Sequence, residues 1–365
     1  MRKKRNIDSV KKEKIVIGMS GGVDSSVAAW LLKEQGYDVI GVTMETWEND
    51  ATGEKTCGSS AVLDARGVAD VLGIPHYTVD FREAFRRDVI EPFMAAYEAG
   101  KTPNPCVACN RKVKWEALLE KAKELGAEQI ATGHYARIRR LSNGRYAVER
   151  AVSAAKDQTY ALYQLSQDQL ARTKMPLGEF TKDQVREMAV KAELPVANKP
   201  DSQDICFIPD QDYAAFIGRM RGTVPPPGNF VDEKGNVLGR HQGIIHYTIG
   251  QRKGLGVAFG VPLFVKEIRP KTNEVVLGNG DEIFSRRVVC HSLCFMGEAD
   301  FLEPRRVLAK IRYSHKGAMG IVRRIEDDLA ECIFDEPVRA VTPGQAIVFY
   351  DGDLVLGGGT IQKGE

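Results

Sequence analysis

Long apolar runs are missing from this 365-residue chain. Nothing approaches the roughly 18 to 20 residues that a bilayer-crossing helix needs, so no membrane span is expected. A surplus of one charge is missing too. There are 51 Lys and Arg against 49 Asp and Glu, a formal +2. That excludes a chain basic all over, and leaves only a local basic face for nucleic acid. The seven cysteines are an odd number, and the basic first residues lead into no apolar stretch. A secreted disulfide scaffold is therefore not expected. The setting should be reducing and cytoplasmic, where clustered cysteines more often serve catalysis, redox chemistry or metal. Internal repeats are lacking as well. What is present, 43% hydrophobic and 27% charged residues, suits folded domains, and the length predicts two or three of them.

From Lys14 to about Gly133, strand-like and helix-like segments alternate. Lys14 to Met19, Val39 to Met44, Tyr77 to Val79 and Gln129 to Thr132 read as short strands. Ser25 to Leu32, Ser59 to Leu72 and Val113 to Leu125 read as helices, the last stopped by Gly126. Units of this length predict right-handed crossovers and a Rossmann-like parallel sheet with helices on both faces. Asn143-Gly144 between Tyr135–Ile138 and Tyr146–Glu149 predicts a hairpin. Helices return at Thr181 to Ala192 and Asp210 to Met220. Beyond Pro225-Pro226-Pro227-Gly228 they vanish, and glycines punctuate short strands. Residues 305 to 362 alternate as in a barrel or sandwich, with Val307, Ala309, Ile311 and Tyr313 on one side.

Three stretches carry chemistry. Gly18-Met19-Ser20-Gly21-Gly22-Val23-Asp24-Ser25 links the first strand to the first helix. The glycines let backbone approach a ligand, and free amides at the positive helix end favour an anion. Ser25 or Asp24 would cap that helix. No Gly-Lys-Ser/Thr ending follows, so this is not the common NTPase loop. The second stretch is Thr102-Pro103-Asn104-Pro105-Cys106-Val107-Ala108-Cys109-Asn110. Its prolines predict an extended path, with Cys106 and Cys109 just ahead of a helix starting near Lys112, where a thiol's pKa would be lowered. The third is Asp201-Ser202-Gln203-Asp204-Ile205-Cys206-Phe207-Ile208. A zinc reading of the Cys-x-x-Cys pair lacks a second pair at the right spacing, and no metal site is assigned. Cys57, Cys290, Cys294 and Cys332 read as buried, inert thiols.

The loop string resembles the pyrophosphatase loop of ATP enzymes that adenylate a substrate. With Asn-Pro-Cys-Val-Ala-Cys-Asn, Ala-Thr-Gly-His-Tyr-Ala-Arg, Lys-Asp-Gln-Thr-Tyr, Asp-Ser-Gln-Asp-Ile-Cys-Phe-Ile and His-Tyr-Thr-Ile-Gly-Gln-Arg-Lys-Gly-Leu in that order, the chain from Lys14 onward resembles the bacterial tRNA-specific 2-thiouridylases. The resemblance implies a basic tail over 1–13, an ATP-binding catalytic domain over 14–220, a small central domain over 221–284 and a C-terminal β-barrel over 285–365. It implies ATP-dependent thiolation of C2 of the wobble uridine in tRNAs for Lys, Glu and Gln. Gly18 to Ser25, Met44 and Gly133 would bind ATP, with Mg²⁺. Asn104, Pro105 and Cys106 would face the target base. Cys109 would be the nucleophile and Cys206 the persulfide carrier, the pair able to form a disulfide. His134, Lys156, Asp157, Gln158, Arg312, Tyr313 and Gln345 would contact tRNA. Relatives can carry Asp at the position of Cys106, a candidate general base that a thiol does not replace. A sulfur-relay protein or cysteine desulfurase would load Cys206.

Residues 286 to 324 hold nine Lys and Arg against three Asp and Glu, with Arg286-Arg287, Arg305-Arg306 and Arg323-Arg324 as pairs. Arginines near Tyr313 would suit RNA phosphates and stacking. Two other readings stay open. One is a small-molecule adenylating synthetase using the same loop; the other is a catalytically silent RNA binder. For the three cysteines, a [4Fe–4S] cluster is the alternative to a persulfide.

Overall fold

The computed structural model describes residues 12–47, 59–200, 205–223, 225–256 and 260–365. Most of the basic tail, Cys57 and residues 201–204 of the third motif lie outside the described residues.

The first domain is built on five parallel strands in the order His76–Asp80, Asp38–Glu45, Lys14–Gly18, Gln129–Ala131, Thr173–Lys174. Lys14–Gly18 is central because Ile15, Val16 and Ile17 are apolar and β-branched, and all three are fully buried. Ile15 and Ile17 pack with Val27, Leu32, Ala65 and Val185, from helices Val23–Glu34, Ser59–Leu72 and Lys182–Lys191. Val16 packs the other way, with Trp115, Leu118 and Ala122. Alternation along one strand thus puts helices on both faces. The strand order reverses between Lys14–Gly18 and Gln129–Ala131. Ligands bind beyond the carboxyl ends of strands at such a reversal.

A second sheet runs Phe264–Arg269, Glu274–Gly278, Gly228–Val231, Val237–His241. The third begins as six strands in the order Phe284–Phe295, Leu329–Arg339, Ala318–Glu326, Arg305–Lys310, Ala346–Asp351, Leu354–Gly364. The last pairs back onto the first, with Cys290 opposite Ile361, closing a barrel and leaving no edge among the six. The hairpin Ala136–Arg140 and Tyr146–Arg150 joins this barrel rather than the parallel sheet. Glu149 registers with Leu354, and Arg145 donates to the carbonyls of Met296 at 2.9 Å and Phe295 at 2.8 Å.

Two expectations are corrected and one helical run is added. The helix expected near Lys112 begins at Pro105, runs through Ala108, continues as wide i→i+5 turns over Cys109–Ala117 and ends as α-helix at Glu124. A proline breaks a helix interior, but at the first helical position its missing N–H costs nothing. A further helical run covers Arg82–Phe85, Arg86–Ile90 and Glu91–Glu98. Tyr313 does not continue the inward face of Val307, Ala309 and Ile311, because the strand ends at Lys310 and Tyr313 is 49% exposed.

Candidate active site

The loop leaves the sheet at Gly18. Met19 N donates to Val42 O at 2.8 Å, and Thr43 Oγ1 donates to Met19 O at 2.9 Å. Gly21 takes a left-handed φ of 68°, and a Cβ there would sit 2.4 Å from the carbonyl oxygen of Ala61. The loop therefore needs glycine for both conformation and space. The helix is capped not by Ser25 or Asp24, as expected, but by Gly22, which offers no side-chain bond. Ser25 turns back instead, its Oγ accepting from Ser20 N at 3.1 Å. That leaves the first-turn amides for an anion. Across the strand reversal, Gly133 meets this turn so closely that a Cβ would lie 2.6 Å from Ser25 N. On the opposite side a Cβ at Gly18 would lie 3.7 Å from Met44 Cε.

Several polar groups around the loop carried no signal in the sequence. Asp24 accepts from Tyr135 Oη at 2.8 Å and from Lys182 Nζ at 2.7 Å. Lys199 Nζ donates to Gly21 O at 3.0 Å and to Asp64 Oδ2 at 2.5 Å. Only tertiary contact reveals them, since Lys182 is 158 residues from Asp24.

In the cysteine segment, Asn104 is the helix cap, its Oδ1 accepting from Cys106 N at 3.1 Å. Cys106 is exposed and Cys109, one turn on, is buried among Phe85, Phe93, Val113 and Phe207. Burial pushes the Cys109 thiol up, against a smaller downward pull from Lys114. The lowered pKa expected for Cys109 is therefore corrected. It lies inside the helix, where desolvation outweighs the end charge. Cys206 is exposed, yet its neighbours Phe207 and Ile208 are buried, Phe207 meeting Phe85 and Phe93 edge-on at 5.5 and 5.4 Å. The C-terminal side of Cys206 is anchored in the same apolar cluster as Cys109 and Met44.

The candidate tRNA contacts fall into two groups. Gln158 Oε1 accepts from Tyr135 N at 2.8 Å, so the Lys156-Asp157-Gln158 turn is one residue removed from the phosphate loop. Tyr313 Oη reaches Asp157 O at 3.2 Å and its ring sits edge-on to Tyr160 at 6.1 Å. Gln345 Nε2 donates to Thr102 O at 2.9 Å, tying the barrel to the chain just ahead of Asn104. These residues are brought together. His134 is of another kind. Its Nδ1 lies 2.9 Å from Thr132 Oγ1, its ring packs on Trp115, and burial pushes its pKa far down, so it is a neutral polar group. Arg312 is half-buried and donates to Arg339 O at 2.9 Å. Of the arginine pairs expected to face phosphates, Arg305 is met by Asp351 at 2.8 Å, Arg306 by Asp335 at 2.5 Å, and Arg287 and Arg323 by the buried Glu331 at 2.6 Å each, while Arg286 donates to the carbonyls of Phe334 and Asp335.

Three family models match the chain in turn: the tRNA methyl transferase HUP domain over residues 13–210, the tRNA methyl transferase PRC-barrel domain over 214–279 and the aminomethyltransferase beta-barrel domain over 285–361. The tRNA-specific 2-thiouridylase MnmA of Lachnoclostridium phytofermentans is 59% identical over 356 residues, covering 96% of this chain and all of its own length. That of Carboxydothermus hydrogenoformans is 53% identical over 98% of this chain and 100% of its own. The chain belongs to the tRNA-specific 2-thiouridylase family. Among solved structures, the NMN synthetase of Francisella tularensis covers 58% of this chain and 79% of its own at 19% identity and a TM-score of 0.34, which carries no weight here. For a 2-thiouridylase family member the arrangement is chemically apt: an anion-binding turn, two exposed thiols and one buried thiol served by three separate parts of the chain.

Proposed function

We propose that this protein uses ATP to replace the C2 oxygen of the tRNA wobble uridine with sulfur, in tRNAs for Lys, Glu and Gln. The observation that carries the reading is a run of contacts: Tyr135 ties the phosphate turn at Asp24 to Gln158, Tyr313 of the barrel region reaches Asp157, and Gln345 holds the chain just ahead of Asn104. A small-molecule synthetase has no use for the last two, and the relatives from Lachnoclostridium phytofermentans and Carboxydothermus hydrogenoformans are named thiouridylases.

The chemistry follows from the leaving group. The uracil C2 oxygen attacks the α-phosphorus of ATP and pyrophosphate departs, turning a poor leaving group into AMP. First-turn amides of residues 23–25 steady the phosphates. The terminal sulfur of a Cys206 persulfide then attacks C2 and AMP leaves. The Cys109 thiolate attacks Cys206 Sγ, the S–S bond breaks, the thiocarbonyl forms and a Cys109–Cys206 disulfide remains for an external thiol to reduce. Asn104, Pro105 and Cys106 would present the base.

Asp24 suits a Mg²⁺ shared with substrate phosphates, since Mg²⁺ takes one or two carboxylates and keeps phosphate and water ligands. Bound there, it would neutralise phosphate charge. The alternative is a [4Fe–4S] cluster on Cys106, Cys109 and Cys206; among the described residues no group of three Cys, His, Asp or Glu is set to hold a metal. The sulfur would come from a relay protein or cysteine desulfurase, and the reaction would take place in the cytoplasm. No helix among the described residues is long and apolar enough to cross a membrane.

Nucleoside analysis of tRNA from a strain lacking the gene tests the proposal. Loss of 2-thiouridine at the wobble position, restored by this chain, is expected; an unchanged 2-thiouridine content would overturn it.

A further inference from the structure

Lysine is a poor choice at two places beside the phosphate turn. Lys182 is the first residue of the helix Lys182–Lys191, whose capping box is supplied by Thr181 and Gln184. A helix N-terminus repels a cation. The Lys182 side chain is nevertheless only 12% exposed, with its ammonium on Asp24 Oδ1 and near the face of Tyr135. Lys199 reaches over the other end of the turn to the carbonyl of Gly21 and the carboxylate of Asp64. The two ammonium groups thus touch residues 21 and 24, the two sides of one four-residue loop. They are joined there by the N-terminal end of the helix Val23–Glu34, which carries no side-chain cap. Among the described residues, Asp24 and Asp64 stand against the two lysines, and two helix ends add partial positive charge where a polyanion would lie.

We propose that Lys182 and Lys199 are the residues that recognise the β- and γ-phosphates of the nucleotide, and so discriminate ATP from AMP and hold the departing pyrophosphate. This rests on the adenylating reading of the loop. An ammonium carries three donors, so each lysine keeps its protein partner and adds a phosphate oxygen, or exchanges one for the other. The backbone amides of the turn bind any phosphate. The lysines extend from either side and select for chain length. Asp24, freed in part from Lys182 by the incoming charge, becomes available to a cation.

The test uses the full chain with ATP, AMP and inorganic pyrophosphate as probes, comparing Lys199→Met, Lys182→Met and Lys182→Arg with the unmutated protein. ATP affinity should fall about ten- to a hundred-fold in each methionine variant, the loss of one charge-assisted hydrogen bond. AMP affinity should stay within about twofold. Pyrophosphate inhibition should weaken in parallel with ATP affinity, and Lys182→Arg should recover most of it. An equal loss of ATP and AMP binding would mean the lysines merely shape the loop, and would overturn the inference, as would unchanged ATP affinity. Lys199 is about one-third exposed, so Lys199→Met keeps the test open even where Lys182→Met does not fold. An unmutated chain without affinity for ATP would overturn the adenylating reading itself, and this inference with it.

Discussion

Gly133→Ala is the sharpest probe of the nucleotide site, because its effect follows from one distance. The new methyl carbon would sit 2.6 Å from Ser25 N and 2.8 Å from the Asp24 carbonyl carbon, whereas ordinary contact begins at 3.4 Å. Either the residues 132–134 turn or the start of the helix Val23–Glu34 must retreat by 3.4 − 2.6 = 0.8 Å. Both are backbone, so no side chain can swing away. Forcing one extra carbon into packed structure costs about 1 to 3 kcal/mol, and roughly 2 to 4 °C of Tm per kcal/mol is expected for a unit of this size. The amides that retreat are those that would meet phosphate. Losing one or two charge-assisted bonds would weaken ATP binding by about ten- to several hundred-fold. Gly228→Ala is the control. It would place a methyl 2.0 Å from Asn273 O in the central sheet, a worse clash remote from the loop. Thermal unfolding and equilibrium ATP binding should be measured on both. Gly133→Ala should lose affinity out of proportion to its stability loss, and Gly228→Ala should lose stability alone. Equal ATP affinity in Gly133→Ala and the parent would refute the placement of the nucleotide at the strand reversal.

Other outcomes follow from the same geometry. Asp24→Ala should fold, since Gly22 and not Asp24 is the cap and the lost bonds cost about 1 to 3 kcal/mol; tRNA thiolation should nonetheless disappear, and near-normal turnover would refute the loop assignment. Cys109→Ser and Cys206→Ser should each abolish sulfur transfer, while Cys106→Asp should keep substantial activity; activity that tracks iron content would refute the persulfide route. Because burial raises the Cys109 pKa, the thiol form dominates near neutrality and the sulfur-transfer rate should climb about tenfold per pH unit from neutral into the alkaline range; a plateau below pH ~7 in single-turnover assays would sink that account. Arg305→Gln and Arg306→Gln remove side chains already paired with Asp351 and Asp335, so the salt dependence of tRNA binding should hold its slope; a fall of about one unit per residue would show that they meet phosphates after all.

Much of the plan was legible in the chain. Ile15-Val16-Ile17 followed by two glycines could hardly be anything but a buried strand running into a turn, and Asn143-Gly144 placed a hairpin where one stands. These are local signals, decided by β-branching and by the tolerance of glycine for positive φ. The order of motifs likewise sufficed for family membership. Local reasoning failed at Pro105, where a proline ends one kind of structure and begins another, and only the cap at Asn104 decides which. It failed again at Tyr313, where alternation was carried past the end of its strand, and at Cys109, whose helix position argued for a thiolate that burial disfavours.

What tertiary structure alone decided is which distant residues share a space. The hairpin is attached to the barrel by the Glu149–Leu354 register and by Arg145 on the carbonyls of Met296 and Phe295, and such pairing leaves no mark in either strand's sequence. The arginine pairs between 286 and 324 read as an RNA face until folding set carboxylates and carbonyls opposite them. Lys182 and Lys199 look like surface lysines on any helical or loop segment, and they gain meaning only when the crossovers of the parallel sheet bring them to the mouth of a loop more than 150 residues earlier. Local conformation is governed by a residue's near neighbours, whereas charge balance and burial depend on everything within a few ångströms, which the chain order does not record.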